Sequence, residues 1–65
     1  MTSLEEAIRS AHGEEIKRIY KDFSSALSTA GEDSDKIEQA EENLRQALTH
    51  AASVLSRVRA VAKLG

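Results

Sequence analysis

The sequence predicts an all-α fold, an antiparallel two-helix hairpin with coiled-coil-like packing. The 65 residues include no proline and three glycines, and residue types that favour helices, such as Ala, Glu, Leu and Arg, are abundant. Turn-forming residues cluster once, at 30–34. The arms on either side, about 3–29 and about 35–64, are nearly equal in length. We therefore predict that residues 1–65 form a single domain that folds back on itself.

The first arm begins with a capping signal and carries an apolar stripe that changes direction. Ser3 and Glu6 form a capping box, which places the helix start near residue 3 or 4. Four early apolar residues lie about 100° around the helix from the later stripe. Gly13 stands where the direction changes, and glycine inside a helix costs about 1 kcal/mol relative to alanine. Two alternatives stay open: a short N-terminal helical segment that breaks near Gly13, or one helix whose first part faces elsewhere. The early residues are Leu4, Ala7, Ile8 and Ala11, and the later stripe is Ile16, Ile19, Tyr20, Phe23, Ala26, Leu27 and Ala30.

The turn and the second arm have clearer signals. Gly31 is expected to end the first helix in a left-handed conformation, and Asp33 or Ser34 is expected to cap the second. The second arm has neither glycine nor proline between residues 37 and 64, and its apolar stripe is three rows wide. The stripe contains Ile37, Ala40, Leu44, Ala47, Leu48, Ala51, Val54, Leu55, Val58, Val61, Ala62 and Leu64.

Folding the arms together predicts unequal packing at the two ends of the hairpin. Near the turn, Phe23 and Tyr20 come opposite 40–44, so that large residues meet small ones. At the open end the second arm has more apolar surface than the first can cover. Leaving even about 400 Å² of it in water forgoes about 10 kcal/mol, so we expect a partner there. The candidate partner-binding residues are Val54, Leu55, Val58, Arg59, Val61, Ala62, Lys63, Leu64, Leu4 and Ile8.

The charges follow the direction of the second helix. Residues 32–42 hold six acids and one base, whereas residues 43–65 hold four bases and no acid. A helix dipole favours this arrangement, so helix stabilisation is the simplest explanation. Recognition is the alternative: Arg59 and Lys63 share a face beside the apolar surplus and could steer an acidic partner, while Arg57 lies on the opposite flank.

The residues give no support for catalysis, a cofactor or a metal. There is no cysteine, and neither His12 nor His50 has the spacing of a metal or catalytic site. The adjacent carboxylates, as in Glu41 and Glu42, point about 100° apart on a helix and enclose nothing. We expect a chain that is not an enzyme, with structural or surface roles for both histidines.

Composition also argues against nucleic-acid and membrane partners. The net charge is −2, and the only aromatic residues, Tyr20 and Phe23, lie on the apolar face rather than on a basic stripe. Core packing is the preferred interpretation of Tyr20, with a role at a protein interface second. No apolar run is long enough to cross a membrane, and the first residues lack the features of a signal peptide. We therefore expect a cytoplasmic protein.

The chain resembles the YscE type of small helical-hairpin co-chaperone for the type III secretion needle subunit. The resemblance extends over nearly the whole chain and rests on the opening 1–6 (MTSLEE), the turn at Gly31, the equal arms, and the Ala/Val-rich end 58–64. It implies a heterodimer with a tetratricopeptide-like chaperone, the pair holding the needle subunit in the cytosol before export.

Three functions remain as alternatives. The first is a protein-binding module, a co-chaperone or adaptor that docks its apolar face on a larger helical partner. The second is a structural protein in which two copies form a homodimeric four-helix bundle. The third, an RNA-binding hairpin dimer, needs basic residues that this chain mostly lacks.

Overall fold

The protein is a helical hairpin, as the sequence predicts. The computed structural model describes residues 3–63, which form two α-helices, α1 (Leu4–Ala30) and α2 (Ser34–Ala62). They lie side by side and antiparallel in a single layer, with extents of 46 × 21 × 9 Å. Within these residues, neither helix is both long and apolar enough to cross a membrane.

Local hydrogen bonds set both helix starts. The Ser3 hydroxyl accepts a hydrogen bond from the Glu6 N–H at 3.1 Å, so α1 begins where the capping signal predicts. The Asp33 carboxylate accepts from the N–H groups of Asp35 and Lys36 at 3.1 and 3.3 Å. Asp33, rather than Ser34, is therefore the cap of α2.

The turn between the helices depends on Gly31. Its φ of +59° lies in the region that side chains disfavour. Its N–H donates to the Leu27 carbonyl at 3.1 Å, and the Asp33 N–H donates to the Ala30 carbonyl at 3.0 Å. These bonds satisfy carbonyls at the end of α1 and reverse the chain within three residues.

The first helix runs through Gly13 without a break, so the alternative of a separate N-terminal segment is wrong. The inward row of α1 continues from Ile8 through His12 and Glu15 to Ile19, at helical spacings of four, three and four residues. His12 and Glu15 are half-buried. These two members of the row are polar, so the pattern of apolar residues alone shifts to another face of the helix near Gly13. The helix and its inward row nevertheless continue.

The buried core is small and consists mostly of alanine. Ile19, Ala30, Ala40 and Ala51 are buried, and these small side chains let the two helices approach closely. Near the turn, Phe23 lies beside Ala40 and Leu44, as the fold-back predicts.

Tyr20 lies outside this core, so the interpretation of Tyr20 as a packing residue is wrong. Its side chain is 72% exposed. Ile19 and Phe23 point toward α2, whereas Tyr20 points about 100° away from Ile19 around the helix.

We predict opposite effects for alanine at two glycines. A Cβ at Gly13 would meet no atom within 4 Å, so Gly13→Ala should raise the free energy of unfolding by about 1 kcal/mol through helix propensity. Gly31→Ala is the comparison variant, and the positive φ of Gly31 should make it lower that free energy by about 1 to 3 kcal/mol. Urea denaturation at one protein concentration measures both. A loss of stability in Gly13→Ala would contradict the continuous helix.

Candidate protein-binding site

A groove opens between the helices on one broad side of the hairpin, in the half away from the turn. Its volume is about 410 Å³, and we call it the open-end groove. An apolar patch continues it toward the helix ends. The groove is lined by Ile8, Ala11, His12, Glu15, His50, Ala51, Val54, Leu55 and Val58; the patch is lined by Leu4, Ile8, Arg57, Val58, Val61 and Ala62.

Large apolar side chains border this site without being covered. Val58 is 40% exposed, Leu4 is 58% exposed and Val61 is 84% exposed. They stay exposed because two helices alone cover only part of the apolar surface at this end of the hairpin. The site can therefore receive apolar side chains from another helix.

The structure brings most of the predicted binding residues together. Val54 and Leu55 line the groove, and Ile8 and Val58 belong to both groove and patch. Leu4, Val61 and Ala62 complete the patch. Lys63 is the exposed C-cap of α2, and Leu64 lies outside the described residues.

Arg59 joins the two helices across the open end. Its guanidinium donates to the Glu5 carboxylate at 3.2 Å, with the two side chains 33% and 40% exposed. Glu5 also accepts from Arg9 at 3.4 Å within α1. Arg59, which with Lys63 was expected to steer an acidic partner, thus already has the Glu5 carboxylate beside it.

The cation that borders the apolar patch is Arg57, which sequence reasoning had placed on the far flank. Arg57 lines the patch with Leu4 and Val61, and it forms no ion pair with any residue from 3 to 63. Whether Arg57 borders the uncovered apolar surface depends on the side of α2 on which that surface lies. The periodicity of α2 alone does not fix that side.

Sequence reasoning also missed that both histidines belong to the open-end groove. His12 lies seven residues after Glu5, and His50 lies nine before Arg59. In an antiparallel hairpin they therefore lie about two and two and a half turns from that ion pair, at nearly the same level. The fold-back alignment was the signal that could have placed them together.

Other carboxylates on α1 and α2 form local ion pairs. Glu14 contacts Lys17 at 3.3 Å, Glu15 contacts Arg18 at 3.3 Å, and Glu42 contacts Arg45 at 2.6 Å. These spacings of three residues stabilise a helix surface modestly. Within residues 3–63, no three potential ligands of the His, Cys, Asp or Glu type are grouped so that they could hold a metal ion.

Comparisons with protein-family models, curated proteins and solved structures found no match to this chain.

We predict a small, salt-sensitive contribution from the cross-helix ion pair. Glu5→Gln should lower the free energy of unfolding by less than about 1 kcal/mol, because both partners are partly exposed. Glu6→Gln is the matched control, since Glu6 also lies in the first turn of α1 and shares the helix-dipole effect. The difference between the two variants should shrink in high salt. An equal loss in both, at every salt concentration, would show that the Glu5 pair does not stabilise the hairpin.

Proposed function

We propose that this protein is a non-enzymatic protein-binding module that docks its open-end groove and the adjoining patch onto an amphipathic helix of a larger protein. The observation that carries the proposal is the run of uncovered apolar side chains Val54, Val58 and Val61 on one side of α2, together with Leu4 of α1. A helix laid in the groove would cover them as a third helix of a bundle.

The groove also suggests the chemistry of the partner helix. Its apolar face would contact Val54 and Val58, and a carboxylate on its edge would come close to Arg57. Arg57 has no ion-pair partner among residues 3–63, so an acidic group on the partner would gain a favourable contact at the rim. Rim charges of this kind mainly raise the association rate.

The specific form of this function that we propose is a cytoplasmic co-chaperone or adaptor. The resemblance to the YscE type of needle-subunit co-chaperone supports it, and so does the uncovered apolar face. A small hairpin with an incompletely covered apolar face is suited to complete the fold of a tetratricopeptide-like chaperone and to shield an aggregation-prone helical subunit.

Substitution at the centre of the site tests the proposal. A photo-crosslinking amino acid at position 58 in the native host identifies the partner, and calorimetry with the purified partner measures affinity. Val58→Asp should weaken binding at least about 100-fold, because the complex would bury an unpaired carboxylate. Ser56→Asp, an exposed position about 160° around α2 from Val58, is the matched control and should bind as the unmodified chain does. Equal affinities for Val58→Asp and the unmodified chain would place the interface elsewhere.

A second prediction concerns the charge at the rim. Arg57→Glu should slow association with the purified partner about tenfold at low salt, with little change in the dissociation rate. The effect should fade as salt rises. An Arg59→Ala, Lys63→Ala double variant is the comparison, and it should slow association less. Stopped-flow fluorescence measures the rates. A larger effect from the double variant would show that Arg59 and Lys63, rather than Arg57, steer the partner.

A further inference from the structure

The hairpin has a second broad side, which the open-end groove does not use. The ion pair between Glu5 and Arg59 marks it, and we call it the ion-pair face. At about 100° per residue, Arg59 points about 160° around α2 from Val61 and about 140° from Val54. The groove and the ion-pair face are therefore opposite sides of one layer, and each can be covered independently.

On α2 the ion-pair face carries a row with symmetric spacing. Glu41, Leu48, Ala52 and Arg59 are separated by seven, four and seven residues, which keeps them within about 20° of one line along the helix. Glu41 and Ala52 are exposed, and Leu48 is 40% exposed. Along the chain the row runs acid, large apolar, small apolar, base.

This order is complementary to itself in reverse. If a second α2 lies antiparallel on the first, centred between Leu48 and Ala52, each leucine meets an alanine and each Glu41 meets an Arg59. A parallel copy would instead place Glu41 on Glu41 and Arg59 on Arg59, with like charges together.

The charge of the whole helix favours the same orientation. Residues 32–42 hold six acids and one base, and residues 43–65 hold four bases and no acid. Two antiparallel copies bring the acidic half of each α2 to the basic half of the other. Opposed helix dipoles add to this preference.

On α1, the ion-pair face presents the most exposed aromatic residue of the hairpin. Tyr20 lies fifteen residues after Glu5, which places it about 60° from Glu5 around α1, on the same broad side. Its side chain is 72% exposed, and Ile16 and Leu27 are half-buried beside it. An exposed tyrosine above half-buried aliphatic residues is a common centre for an interface.

The hairpin exposes more surface than a compact monomer of its mass, and its broad side is large enough for a standard interface. The accessible surface is 5247 Å², whereas a compact monomer of 7.1 kDa is expected to expose about 4,100 Å². The broad side measures 46 × 21 Å, or roughly 970 Å², and a standard interface buries about 800 Å² on each partner.

We propose that a second copy of this chain covers the ion-pair face in the antiparallel orientation. The two single-layer hairpins become a four-helix bundle with Leu48, Ala52 and Tyr20 in its centre. The open-end grooves then lie on the two outer sides of the bundle, so that each copy keeps its partner-binding site. This inference goes beyond the proposed function, because it concerns the opposite face.

Two matched substitutions test the face. Sedimentation equilibrium at micromolar concentration should give a dimer for the unmodified chain. Tyr20→Asp should shift it to monomer, because an interface carboxylate would lose its water. Val61→Asp introduces an acid at a position on the groove side that is 84% exposed, against 72% for Tyr20, and it should leave the dimer intact. A monomeric unmodified chain, a dimeric Tyr20→Asp variant or a monomeric Val61→Asp variant would each overturn the proposal.

A distance measurement tests the orientation without altering the interface. The chain has no cysteine, so Glu32→Cys places a single spin label at the exposed turn. In the antiparallel dimer the two labels should lie about 50 Å apart, because the turn is about 27 Å along the helix from the midpoint between Leu48 and Ala52. Labels within about 20 Å would indicate a parallel dimer and overturn the proposal.

Partner binding separates this inference from the proposed function. Monomeric Tyr20→Asp should retain the affinity of the unmodified chain for the purified partner, while Val58→Asp should lose it and remain dimeric. Loss of partner binding in Tyr20→Asp with the dimer intact would reverse the assignment of the two faces.

Discussion

Two helices that lie side by side can bury only the strip along which they touch, and this constraint governs the whole protein. The apolar stripe of α2 is three rows wide, but α1 covers only part of it. The buried set is therefore Ile19 with three alanines, and larger side chains such as Val58 and Leu48 remain partly in water. Burial of apolar surface is the main favourable term in folding, so a chain built in this way has surface left over for association.

The short turn fixes the alignment of the helices, and the alignment decides which distant residues meet. Gly31 and Asp33 reverse the chain within three residues, so each level of α1 has a defined partner level on α2. Glu5 then reaches Arg59 across the open end, and residues from both arms line one groove. Every feature of the candidate site follows from this alignment and from the close approach that the buried alanines permit.

The two broad sides of the hairpin differ in symmetry, and that difference suggests different occupants. The groove side concentrates its apolar surface near one end, around Val58 and Val61, with Arg57 at the rim. An apolar surface that is weighted toward one end suits a different protein. The ion-pair face has its apolar residues near the middle of α2, with opposite charges at equal distances on either side. A surface of this kind is complementary to a reversed copy of itself.

The sequence by itself determined the two helices and the turn, and it predicted apolar surface that the hairpin does not cover. Caps such as Ser3 and Asp33 act within three residues, and the stripe of α2 repeats within two turns, so no distant contact is needed to recognise them. Only the tertiary structure decided which way each helix faces. That direction is set by packing against the other helix, where half-buried polar residues such as His12 and Glu15 can stand in the inward row. For this reason the continuity of α1 through Gly13, the exposure of Tyr20 and the place of Arg57 at the patch could not be obtained from periodicity alone.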